Sequence, residues 1–105
     1  MGKEIVVSNT TPLIALAWLE LLDLLPALFG QVNVPQAVID EIRHKPEATG
    51  ASEVYQAVWL MLTPVKNPQS ILLLSDQLDA GESEAIVLAQ ELEAGLLLMD
   101  ERRGR

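Results

Sequence analysis

Four oxygen-bearing side chains stand out by their place in the sequence pattern. Asn9 comes shortly after the apolar run Ile5-Val6-Val7, and Asp100 directly follows Leu96-Leu97-Leu98-Met99. Both therefore fall at the carboxyl ends of expected strands, where open parallel sheets bind ligands. Glu41 follows Ala37 by four residues and Val38 by three, so it shares a helical face with apolar neighbours. A carboxylate in such company is costly unless it is paired or bound to a cation. Glu84 lies near the start of another expected helix, on the shoulder of the face formed by Ala85, Leu88 and Ala89. If the sheet gathers Asn9, Glu41, Glu84 and Asp100, the result is an all-oxygen cluster, which selects the hard cations Mg²⁺ or Mn²⁺. A cation so held activates a water and stabilises the charge that builds on a phosphodiester. No nucleophilic side chain is needed.

Each of these residues also has a plainer role to weigh. Acids are favoured in the first turn of any helix, which suffices for Glu84. Glu82 stands three residues after Asp79, the spacing of a capping box, and is expected to serve the cap before it serves an ion. Asp100 can begin a turn. Glu41 can form a structural ion pair with a group such as Arg102. His44 is expected at a helix end on the surface. Trp18 and Trp59 fall in apolar helical patterns, so core packing is expected of both.

Composition narrows the field. The chain has 105 residues, of which 50% are hydrophobic and 21% charged, as expected of one globular domain over residues 1–105. With no cysteine and one histidine, disulfides, thiolate sites and multi-histidine zinc sites are excluded. Fifteen acidic against seven basic residues give a net charge of −8. No lysine or arginine lies between Lys66 and Arg102, a stretch that holds eight of the acids. A binder that works by neutralising phosphates shows a basic stripe, and none is present. Either the chain avoids polyanions, or it meets them through something that inverts the field, such as a divalent cation. The greasiest stretch, residues 12–29, is interrupted by Glu20, Asp23 and Pro26 and does not read as a membrane span. The opening Met1-Gly2-Lys3-Glu4 lacks the layout of a signal peptide, so a cytoplasmic location is expected.

The elements that must position these groups alternate between strand and helix. The run Ile5-Val6-Val7 suits a buried parallel strand. Thr11 is expected to cap a helix that Pro12 opens, with helical segments over 13–19 and 21–29 and a bend before Pro26. Val32-Asn33-Val34 reads as a second strand, and Pro35 opens a helix that runs to about His44. A third helical region is expected over 52–60. The segment 61–65 reads as a strand whose Pro64 argues for an irregular or edge position, and 71–74 is open between strand and helix. Asp79 caps a helix to Glu93 that Gly95 closes, followed by a strand to Met99. Such alternation predicts a three-layer α/β/α arrangement around a short parallel sheet of about four strands. The chain reads as stopping just after a core strand, which predicts self-association through the exposed face.

Four blocks, in order, resemble a known family. They are Val6-Val7-Ser8-Asn9-Thr10-Thr11-Pro12-Leu13-Ile14, Val34-Pro35-Gln36-Ala37-Val38-Ile39-Asp40-Glu41-Ile42, Gly81-Glu82-Ser83-Glu84-Ala85-Ile86-Val87-Leu88-Ala89 and Leu98-Met99-Asp100-Glu101-Arg102-Arg103-Gly104-Arg105. Together they look like PIN domains, with the nearest likeness to the branch of VapC-type toxins. The resemblance implies a Mg²⁺- or Mn²⁺-dependent ribonuclease on an α/β/α fold, often inhibited by a cognate antitoxin. It carries the family's acidic positions onto Asn9, Glu41, Glu84 and Asp100, with Glu82 as an additional acid nearby. Arg102, Arg103 and Arg105 are candidate contacts for RNA phosphates. Two departures matter. The first position is usually Asp and is Asn here, and family members generally continue for a further helix and strand. The alternative expectation is therefore a weak or inactive shortened PIN-like protein that acts as a homo-oligomer or through an antitoxin-like partner.

Overall fold

Four three-residue segments make the sheet: β1 (Val6–Ser8), β2 (Val32–Val34), β3 (Leu60–Leu62) and β4 (Leu96–Leu98). The computed structural model describes residues 4–46 and 49–99. The strands run in the order β3-β2-β1-β4 and every pairing is parallel. β1 pairs with β4 from Val6↔Leu96 to Ser8↔Leu98, and with β2 through Val7↔Asn33. As an inner strand it is covered on both sides. Val6 and Val7, which point to opposite faces, are both fully buried. Inside the sheet the Asn33 side chain donates to the Val6 carbonyl at 3.1 Å and accepts from Thr63 Oγ1 at 3.0 Å.

Among the described residues six helices accompany the sheet: α1 (Thr10–Trp18), α2 (Leu24–Phe29), α3 (Gln36–Arg43), α4 (Ala51–Tyr55), α5 (Gln69–Leu72) and α6 (Ala80–Leu92). Val6 packs with Leu13, Ala17, Leu25, Val38, Ile42 and Val54, so α1 to α4 share one core. Val7 packs with Ala85 and Leu88 of α6, with Val65 and Leu97 alongside. Helices thus lie on both faces of the parallel sheet, the expected layered α/β arrangement. Among the described residues no helix is long and apolar enough to cross a membrane.

Several expected boundaries shift for identifiable reasons. Asn9, not Thr11, is the N-cap of α1, which places Pro12 third in the helix. The first four N–H groups of a helix have no intrahelical acceptor, so proline is harmless there too. The same holds for Pro26, third in α2, and the helix begins at Leu24 after a turn in which Glu20 adopts φ 59°. The third helical region is shorter than expected, ending at Tyr55, and the strand that follows it is Leu60–Leu62, at the sheet edge as Pro64 suggested. The open segment joins the short helix α5. At the end of α6, Glu93 rather than Gly95 takes the left-handed turn, at φ 52°.

Trp18 departs most from expectation. It is 67% exposed. The buried stripe of α1 is Thr10, Leu13 and Ala17, and the opposite face carries Thr11, Ala15 and Trp18 at helical spacing. Because α1 is apolar on both faces, composition alone did not reveal which face turns inward. Trp59 is partly buried against the larger core, as expected of it.

Candidate functional site

Asn9 is placed by both its neighbours in the fold. Its backbone N–H donates to the Leu98 carbonyl at 3.0 Å, extending the β1–β4 ladder one residue beyond Ser8. Its backbone is extended as it enters α1, yet the side chain makes no capping hydrogen bond, although asparagine is among the best capping residues. The residue is 5% exposed, and among the described residues Oδ1 has no hydrogen-bond partner. A buried acceptor left unsatisfied costs about 1–3 kcal/mol.

Glu41 approaches the same place from α3. Its Oε1 accepts a hydrogen bond from the hydroxyl of Thr10, the residue after Asn9. On the other side lies Gly81, in the first turn of α6. A Cβ on residue 81 would stand 2.7 Å from Glu41 Oε1 and 3.1 Å from Oε2. The missing side chain lets the amino end of α6, with its positive partial charge, close on the carboxylate. Glu41 is half-buried, with polar contacts where its apolar neighbours on α3 turn to the core.

A pocket of about 410 Å³ joins these groups. Asn9, Thr10, Glu41 and Asp79 supply its oxygens, and Thr11, His44, Lys45 and Pro46 complete the wall. Asn9 and Glu41 thus line one pocket. Asp79 is the acid that sequence reasoning left at the cap alone. It does cap α6, accepting from the Glu82 N–H at 2.8 Å, while Glu82 returns the bond to the Asp79 N–H at 3.1 Å. Glu82 is therefore committed to the capping box, its plainer role. The signal for Asp79 was the glycine two residues on, which marks a helix start that something approaches closely. His44, the C-cap of α3, is exposed, and its Nδ1 lies 2.7 Å from the Asp40 carbonyl.

Glu84 does not line this pocket. Its Oε1 accepts from the backbone N–H of Ala37 at 3.0 Å, in the first turn of α3. Ala37 precedes Glu41 by one helical turn, so Glu84 reaches the helix that carries Glu41 about 6 Å upstream along its axis. Asp100, Arg102, Arg103 and Arg105 lie outside the described residues. Among the described residues no group of three or more Asp, Glu or His side chains is placed to hold a metal ion. The oxygens of the pocket nonetheless fit a hard cation in kind, an amide beside carboxylates and no sulfur, with the His44 imidazole on the same wall.

A family model described as PIN domain matches residues 5–105. No curated protein matches the chain, and no solved structure does either.

Proposed function

Because the chain belongs to the PIN-domain family, a family of nuclease type that generally uses divalent metals, we propose that it is a Mg²⁺- or Mn²⁺-dependent ribonuclease acting at the Asn9–Glu41 pocket. The observation that carries this reading is that Asn9, whose buried Oδ1 has no hydrogen-bond partner among the described residues, lines the same small pocket as Glu41. Asn9, Glu41 and Asp100 would hold the ion, with Asp79 at the wall and Glu84 steadying α3. Such an ion, when bound, supplies Lewis acidity toward a phosphate oxygen and a water of lowered pKa. Thr10 orients the Glu41 carboxylate, and Gly81 keeps space for it. Lys45, on the pocket wall, is a cation within reach of a phosphate, and Arg102, Arg103 and Arg105 would extend that contact along the strand.

The order of the four sequence blocks supports the toxin-type branch, with an antitoxin-like protein as inhibitor and a homo-oligomer as the working form. A second reading is favoured by Asn9 itself. An amide in place of the usual carboxylate removes one negative charge from the ion's surroundings, which weakens binding of a dication and fits a partner-binding protein of low activity.

The test is cleavage of a labelled single-stranded RNA in Mn²⁺, with the wild type beside Glu41→Gln. The proposal expects metal-dependent cleavage that falls roughly a hundredfold in the variant, the scale on which removing one electrostatic group acts. Equal residual cleavage by both proteins would sink it.

A further inference from the structure

The chain holds a single histidine, and the fold sets it on the wall of the polar pocket. The cleft between α1 and α4, where Trp18 and Trp59 stand with Glu20, Asp23 and Glu53, has acids but no imidazole. His44 follows Glu41 by three residues at the end of α3, the spacing that sets two side chains on one helical face. The pocket thus draws a carboxylate and an imidazole from one turn of α3, beside Asn9.

The imidazole is already fixed. Its Nδ1 lies 2.7 Å from the Asp40 carbonyl oxygen, which also accepts the His44 backbone N–H at 3.2 Å. A carbonyl can only accept, so Nδ1 carries the ring proton and the neutral ring keeps its lone pair on Nε2. Metal-bound histidines almost always show this arrangement. One ring nitrogen donates to a carbonyl or carboxylate, which sets the tautomer and orients the other nitrogen for the ion. Among the described residues Nε2 has no hydrogen-bond partner.

Charge points the same way. Lys45, next along the wall, offsets one of the two carboxylates, and position 9 supplies a neutral amide. Mg²⁺ is held by carboxylate charge and keeps its waters, whereas imidazole suits transition ions and adds affinity without charge. Glu41, His44 and the Asn9 amide need no third acid, in keeping with the lack of a described group of three or more Asp, Glu or His side chains placed for an ion.

We propose that His44 is a ligand through Nε2 and that the pocket therefore takes a first-row transition cation in preference to Mg²⁺. This rests on the reading of an ion at Asn9 and Glu41 and adds a nitrogen to it, where the positions carried over from the family resemblance are all oxygen donors.

Co²⁺ is the probe and Mg²⁺ its comparison, with titration calorimetry reading both. The wild type should bind Co²⁺ more tightly than Mg²⁺. His44→Phe keeps a ring at an exposed position. It should lose about tenfold or more in Co²⁺ affinity, since an outer-shell change alone costs about 10–100-fold, while its Mg²⁺ affinity holds. Glu41→Gln should weaken both ions. A second readout needs no variant. With one histidine in the chain, proton NMR of the Co²⁺ form should show one exchangeable imidazole N–H signal, from Nδ1, shifted far downfield. Unchanged Co²⁺ affinity in His44→Phe, or no such signal with Co²⁺ bound, would overturn the role of His44 and leave the ion at Glu41 standing. If the wild type binds none of Co²⁺, Mn²⁺ and Mg²⁺, both fall.

Discussion

In the polar pocket each described carboxylate has a hydrogen-bond partner, while the carboxylates of the tryptophan cleft have none among the described residues. Glu41 is held by Thr10 and hemmed in by Gly81, and Asp79 is locked in a reciprocal cap. Glu20, Asp23 and Glu53 stand exposed beside an outward-facing indole. The first arrangement fixes oxygens before a ligand arrives, which chemistry at a reacting centre requires. The second leaves side chains free to adapt. Two acid-rich concavities in one small chain therefore differ in how firmly their oxygens are fixed.

The contrast can be broken most forcefully along α1, which contributes to both. Leu13 is fully buried on its inner face and Trp18 is exposed on its outer face. Leu13→Ala should destabilise by about 3 kcal/mol, whereas Trp18→Ala should stay within about 0.5 kcal/mol. Urea unfolding measures both, and comparable losses would mean that Trp18 belongs to the core and not to the surface.

Next comes the charge missing from the pocket. Asn9→Asp should tighten Mn²⁺ binding by about tenfold, or ~1.4 kcal/mol, as titration calorimetry would read. An unchanged affinity would remove Oδ1 from the set of ligands. Asp79 separates a structural role from an ionic one. Asp79→Ala should lose about 1 kcal/mol with the cap and lower Tm by about 4–8 °C. Asp79→Asn keeps a capping oxygen, so its Tm should hold while the rise in Tm produced by Mn²⁺ shrinks. If Asn leaves that rise intact, Asp79 is a cap alone.

The smallest effect on folding is expected at Gly81. The Cβ of Gly81→Ala meets only the end of the Glu41 side chain, which can swing away, and alanine favours a helix by about 0.8–1.0 kcal/mol over glycine. Stability should therefore move little, yet the displaced carboxylate should lose its response to Mn²⁺ in the same thermal scan.

Much of this architecture was legible because local signals and tertiary needs agreed. The β-branched and leucine runs at Val6-Val7, Val32 to Val34 and Leu96 to Leu98 could be satisfied only inside a parallel sheet, and the Asp79–Glu82 spacing announced α6. Asn9 and Glu41 were legible as a pair because strand ends and an acid on an apolar face are both costly without a purpose. The start of α1 was not, because Thr11-Pro12 is an equally good helix opening when proline is tolerated throughout the first turn. The exposure of Trp18 was hidden by a helix without a polar side. Asp79 was missed because a complete local explanation, the capping box, left nothing unexplained to pursue. Glu84 also reaches Ala37, a contact between residues 47 positions apart that no local pattern encodes.

That last bond ties two helices end to flank. With its carboxylate on the Ala37 N–H, Glu84 links α6 to the opening turn of α3. Any disturbance at position 84 would be transmitted along α3 to Glu41 one turn away, giving a residue outside the pocket leverage over how the pocket is aimed.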